Sequence, residues 1–212
     1  MDRFQVTLKS MGSGILQNRM TDDALLDLRD KTRKKSKSAA KLSLEEEAEL
    51  KIHFDQNDHP CIPREMLMAC LINAGIFIRL DAKRQLSTAK STILPGLLLL
   101  EGDYFPLLLP GTGDESTWGF APWHYDIRKG KNPNGGEAVC IVRPLFELWA
   151  ISFNVLLDTK ELPEDTYLRL FDHAGKRIGL GDYRPQCKGT FGQFTVTRWQ
   201  CLTSGKDEKL AA

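Results

Sequence analysis

Two stretches of this sequence have the spacing of buried helices, and they constrain the fold more than any other feature. In "PREMLMACLINAGIFI", Leu67, Cys70, Leu71, Ala74 and Ile78 recur at helical intervals after Pro63, a residue suited to a helix start. In "LPEDTYLRLFDHAG", Pro163 opens a second helix, Tyr167, Leu170, Phe171 and Ala174 form its apolar face, and Gly175 is placed to end it. Such stripes have to be covered, and period-two segments around them supply strands. "RFQVTLKS" puts Phe4, Val6 and Leu8 on one side, and "FGQFTVTRW" alternates Phe194, Val196 and Arg198. "EAVCIVRP" and "ELWAISFNVLLD" read as two strands close enough to pair as a hairpin through Pro144–Phe146. Ile93–Leu100 and Tyr104–Leu109 read as further buried strands joined by a Gly-Asp turn. The order strand, helix, strand, strand, helix, strand predicts an α+β, ferredoxin-like sandwich with both helices on one face of an antiparallel sheet.

With 212 residues, 42% of them hydrophobic, the chain can bury one sizeable core. We expect a single domain over residues 1–204, with a basic loop at 30–42, an insertion at 80–136 and a flexible tail at 205–212. Within the insertion, Gly111–Gly136 is rich in Gly, Pro, Asp and Asn and reads as long and irregular. Before the first long helix, Ser43 and Glu46 fit a capping box, with Glu45, Glu46 and Glu47 in the first turn. The apolar run "ILPGLLLLEGDYFPLLLPG" is interrupted by Pro95, Glu101, Asp103 and Pro106, so no membrane span is expected. Five cysteines without a CxxC pair, and no signal-peptide pattern, point to a reducing cytoplasm.

The formal net charge is only +1, so any anion-binding role has to come from local clustering. Two clusters stand out. In "KTRKKSKSAAK", six of eleven residues are basic, with Lys34, Lys35 and Lys37 at its centre. Such a run either contacts nucleic acid or is a solvated loop partly neutralised by Glu45–Glu49. In "GKRIGLGDYRPQCKGTFGQF", Gly179, Gly181 and Gly189 allow close backbone approach to an anion, and Lys176, Arg177, Arg184 and Lys188 supply cations. The competing reading makes Gly175 a helix cap, the two following cations complements of the helix dipole, and Arg184-Pro185 a structural turn. The GxG is not a dinucleotide fingerprint, because it follows a helix and precedes a strand.

Trp118, Trp123 and Tyr125 lie near Arg128, Lys129 and Lys131, a mixture suited to stacking of unpaired bases, although for any one ring packing of the insertion on the sheet is the first expectation. His53, His59, Cys61 and Cys70 match no common zinc spacing, so no metal or other cofactor is expected. His173, with Lys176 or Tyr183, is the one weak candidate for acid–base catalysis, and it could equally serve as a helix-end cation.

On these residues the chain resembles a known family. "FQVTLKSMGSGIL" looks like the first strand of the RAMP superfamily, the RRM-like proteins of CRISPR effector complexes, and "IPREMLMACLINAGIF" like their first helix. The Gly/Arg-rich loop before "FGQF" is similar to that superfamily's glycine-rich loop. Over most of its length the chain also resembles a group of phage and prokaryotic proteins. The shared features are the acidic helix Glu45–Glu49, Ile62–Pro63, Arg143–Pro144 with Trp149, Ala174–Pro185 and Gly192–Phe194. The resemblance implies an RNA- or DNA-facing ferredoxin-like domain that assembles side by side, in a phage or mobile-element setting. The chain is shorter than a typical backbone subunit of such complexes, and no thumb-like element is identified in it.

The expectation is therefore a non-catalytic protein that holds single-stranded RNA or DNA by its phosphate backbone, alone or as an oligomer. The bet falls on Lys34, Lys35, Lys37, Lys176, Arg177, Arg184 and Lys188, with Trp123 and Tyr125 as stacking platforms. One alternative is a phage protein that binds or mimics a host defence complex through its insertion. Another is a RAMP-like endoribonuclease.

Overall fold

The computed structural model describes residues 1–20, 25–26, 42–82, 84–112, 115–131, 136 and 138–202. It is an α+β structure in which every strand pairing is antiparallel. The strands are β1 (Asp2–Ser10), β2 (Ile15–Leu16), β3 (Cys61–Pro63), β4 (Leu98–Leu100), β5 (Tyr104–Pro106), β6 (His124–Lys131), β7 (Ala138–Phe146), β8 (Ala150–Leu157) and β9 (Phe194–Cys201). The helices are α1 (Leu44–Glu49), α2 (Arg64–Ala74), α3 (Leu94–Leu97) and α4 (Glu164–His173).

The main sheet has the order β4-β8-β1-β9. Its inner face carries Phe4, Val6 and Leu8 from β1 and Ile151, Phe153 and Val155 from β8, all buried. The two long helices lie on that face. They bury Leu67, Cys70, Leu71 and Ala74 from α2 and Tyr167, Leu170 and Phe171 from α4, the residues that helical spacing picks out. Ring contacts join the layers: Phe153 with Phe171 at 6.3 Å, and Phe4 and Phe171 with Trp199 at 5.4 and 5.5 Å. The Trp199 indole N–H also donates to Glu164 at 2.8 Å, which ties β9 to the first turn of α4. Tyr167 donates its hydroxyl to the Leu97 carbonyl at 2.9 Å, and burial pushes that phenol up to about 12. The capping box forms at α1, where the Glu46 N–H donates to the Ser43 hydroxyl and the Ser43 N–H to the Glu46 carboxylate.

Several pairings differ from the sequence-based expectation. β7 and β8 do not form a hairpin through Pro144–Phe146. β7 runs on through those residues, because Leu145 and Phe146 pair with Leu16 and Ile15, and the sheet it joins is β2-β7-β6. The chain changes sheets at Glu147–Leu148, where the buried Trp149 leads into β8. Ile93–Leu100 is not one strand, since Pro95 at the start of a helix sets a turn of helix before β4. β4 then pairs with β8, and β5, after the Gly-Asp turn, with β3. Gly111–Gly136 is not irregular throughout, because β6 occupies eight of its residues along the edge of β7.

In β9 the register against β1 shifts between Thr7 and Leu8, which pair with Arg198 and Val196. This bulge reverses the alternation. Phe194, Val196 and Trp199 face the core, and Arg198 is turned to the opposite side. There it lies 3.7 Å from Glu115, whose carboxylate accepts from Thr7 at 2.7 Å and Ser152 at 2.9 Å. The segment carrying Glu115 is thus fastened over the middle of the outer sheet face, and Thr7 is fully buried beneath it.

Candidate nucleic-acid interface

The glycine-rich loop is a built structure rather than a slack connection. Helix α4 does not stop at Gly175. It continues as a π-type turn over Ala174–Ile178 and ends at Gly179, whose φ of 76° terminates it. Gly175 is needed for a different reason: a side chain there would run into the Phe194 carbonyl of β9. The chain then docks on β2. The Asp182 N–H donates to the Leu16 carbonyl at 2.7 Å, the Leu180 N–H to the Gly192 carbonyl at 2.9 Å, and the Gly192 N–H to the Gly14 carbonyl at 2.7 Å. Gly181 and Gly189 pack against the Leu16 and Tyr183 carbonyls. The loop is therefore clamped between α2 on one side and the β2-β7-β6 sheet on the other.

Two arginines organise its surroundings. Arg143 on β7 is buried, with 8% of its side chain exposed, and meets the Asp182 carboxylate at 2.6 Å. Its Nε and Nη1 have no hydrogen-bond partner among the described residues. Asp182 also accepts from the Asn18 side chain at 3.2 Å and from the Tyr183 N–H at 2.8 Å, so its carboxylate is paired and hydrogen-bonded although the side chain stays 27% exposed. Arg128 on β6 is paired with Asp126 at 2.6 Å and lies 4.6 Å from the Phe191 ring centroid, and both Arg128 and Arg143 lie 5.9 Å from that of Tyr183.

Between α2 and the loop is a cleft of about 290 Å³. Met66, Ala69, Cys70 and Asn73 form the helix wall, Gly179–Asp182 and Gln186 the loop wall, and Asn18 and Arg184 also face it. Arg184 is held in place: it donates Nη1–H to the Gly181 carbonyl at 2.8 Å and Nε–H and Nη2–H to Gln186 at 3.3 and 3.2 Å. Those bonds use three of the five donors of the guanidinium. Cys70 is not available for chemistry, since burial pushes its thiol up to about 12 and Sγ donates to the Ala174 carbonyl at 3.6 Å.

Among the residues expected to bind nucleic acid, Arg184, Gly179 and Gly181 meet at this cleft. Lys176 is paired with Asp172 at 2.7 Å on the α4 surface. Arg177 lies 5.5 Å from the Phe77 ring centroid, and that ring is stacked at 5.9 Å on His173. Lys188 stands exposed at the outer end of the loop with a φ of 64°. His173 keeps a buried Nδ1 without a hydrogen-bond partner among the described residues. Tyr125 is exposed on β6, and Trp123 packs against the core and lines a separate hollow with Leu109 and Leu148. Lys34, Lys35 and Lys37, with most of the basic loop 30–42, lie outside the described residues, as does the tail 205–212. Sequence reasoning did not find Asn18, Asn73 and Gln186 as cleft residues, nor Phe77 beneath Arg177. Single polar or aromatic residues without a motif give no signal before the chain is folded.

Among the described residues no group of three or more His, Cys, Asp and Glu could hold a metal ion. No described helix is long and apolar enough to cross a membrane. No family model matches the chain, and no curated protein matches it in sequence. Solved structures similar to it include a cryo-EM structure of the Type III-B Cmr-beta bound to cognate target RNA, with a TM-score of 0.48 and 12% sequence identity. The match covers 94% of this chain and 60% of that one.

Proposed function

We propose that this chain is a non-catalytic, RAMP-like nucleic-acid-binding protein on a ferredoxin-like core, and that it grips the phosphate backbone of a single strand at the cleft between α2 and the glycine-rich loop. The observation that carries this reading is Arg184. Its fork is fixed by Gly181 and Gln186 at the mouth of a cleft, with donors left over and with the neighbouring Asp182 charge already taken by Arg143. A pre-oriented guanidinium beside glycine backbone suits phosphate oxygens. The β-α-β-β-α-β order of the main sheet with its two long helices, and the strand order β4-β8-β1-β9, support the ferredoxin-like assignment. The phage or mobile-element setting and side-by-side oligomers belong to the same proposal and rest on the sequence resemblance, whereas the cytoplasmic location rests on the cysteine pattern and the single domain over 1–204 on length and composition.

Fluorescence anisotropy with labelled single- and double-stranded RNA and DNA at low salt tests it. Single strands bind, and more tightly than duplexes. Failure of all four to bind removes the reading.

A second reading, a protein-interaction module, has one observation in its favour. β4 is an edge strand of the main sheet, and beside it Met68, Ile72, Leu98 and the half-exposed Leu99 line an apolar hollow of about 310 Å³. Sedimentation of wild type against Leu99→Lys tests whether that edge joins copies of the chain. The endoribonuclease reading gains nothing comparable, because His173 is engaged with Phe77.

A further inference from the structure

The basic stretch that follows α2 has no part in the α2–loop cleft, yet the fold gives it a definite place. Its turn is pinned by the Leu80 N–H on the Arg84 carbonyl at 2.9 Å, by the Arg84 N–H on the Asp81 carboxylate at 2.8 Å, and by a bridge between Arg79 and Gln85. Arg79 and Arg84 therefore stand on the two limbs of one tight turn. Arg169 reaches the same place from α4, steadied by a bond from Nη2 to the Thr166 hydroxyl at 3.1 Å. These three arginines border a cleft of about 370 Å³ whose apolar lining includes Leu80, Ile93 and Leu97. It shares no lining residue with the α2–loop cleft.

Charge and shape together narrow what this cleft suits. Among the described residues, Glu161 is the one carboxylate lining it, and the Asp81 carboxylate is taken by Arg84 Nε at 2.6 Å. The Arg79 side chain has no hydrogen bond or ion pair among the described residues, and Arg169 has four of its five donors uncommitted there. Guanidinium forks above an apolar floor match a molecule with a phosphate at one end and a flat, weakly polar ring at the other. We propose that this cleft is a second anion site, which takes one nucleotide unit with its phosphate on Arg79, Arg84 and Arg169 and its base against the leucine and isoleucine floor. The unit is either a free nucleotide or one residue of a bound strand.

Isothermal titration calorimetry of the full chain with AMP, and separately with a short single-stranded RNA, distinguishes the two. The variants are Arg79→Gln with Arg169→Gln, and Arg184→Gln in the other cleft. AMP binding that weakens about tenfold or more in the double variant but persists in Arg184→Gln identifies a free-nucleotide site. No AMP binding, with RNA affinity about tenfold lower in the double variant, identifies a strand contact. If neither ligand distinguishes the double variant from wild type, the proposal is overturned. Arg79→Gln alone removes an exposed side chain with no described partner, so it supplies the same comparison should loss of the Arg169–Thr166 bond lower stability. Failure of Arg184→Gln to affect RNA binding counts against the α2–loop cleft and leaves this site standing.

Discussion

The Arg143 guanidinium meets the Asp182 carboxylate at 2.6 Å, and this ion pair fastens β7, the middle strand of its sheet, to the glycine-rich loop. Removing the acid leaves a buried cation without its partner. Asp182→Ala is expected to cost about 3 kcal/mol, measured as a shift in urea midpoint at constant slope. Arg143→Met costs less, because Asp182 is partly exposed and can turn to water. A loss below roughly 0.5 kcal/mol for Asp182→Ala contradicts the assignment of the pair as the loop's anchor.

The glycines separate into those the loop requires and those it tolerates. Gly181 has a φ of 72° and lies against the Leu16 backbone carbonyl, whereas Gly12, at 71°, has open space around it. Gly12→Ala therefore bears only the backbone penalty, about 1 kcal/mol. Gly181→Ala adds a collision with a fixed strand, about 2 kcal/mol more. Thermal unfolding of the two variants side by side tests this, and equal losses refute the close approach to β2.

Acid sensitivity begins at a histidine. Burial, and then the charge of Arg19, hold His53 below its usual 6.5 in the folded state. Below pH 6.5 the unfolded chain binds a proton that the folded chain does not, so stability falls as pH drops from there toward the folded value. His53→Gln removes this slope. Asp55 acts in a lower window. The His59 N–H, and also the Asn57 N–H, hold its carboxyl below the usual 3.8, so its contribution is present above 3.8 and lost as pH falls through the folded value. Urea midpoints between pH 7 and pH 5 that are the same for wild type and His53→Gln contradict the first part.

The helices were legible because their signals are local. Leu67, Leu71 and Ala74, or Tyr167, Leu170 and Phe171, mark a buried face whatever lies opposite, and Ser43 with Glu46 caps the short helix α1 within one turn. Strand partners are not local. The apolar pattern around Leu145 and Phe146 fits a hairpin with β8 as well as it fits the observed pairing with β2, and only the folded chain decides. The bulge that turns Arg198 away from the core leaves no mark on the residues beside it. The same holds at the site. The Gly/Arg loop was visible as composition, but its cleft depends on Asn18 and Asn73 in the lining and on Arg143 as the loop's anchor, which come from three separate parts of the chain.

The central claim is that Arg184 holds phosphate, and the salt dependence of single-stranded RNA binding tests it most directly. For a single strand, each phosphate that the protein ceases to neutralise reduces the slope of log affinity against log salt by about 0.7. Wild type is predicted to bind at low salt and weaken steadily as salt rises. Arg184→Gln is predicted to bind about tenfold more weakly at low salt, with a slope shallower by roughly one phosphate. Binding that ignores salt, or a slope unchanged in Arg184→Gln, contradicts it.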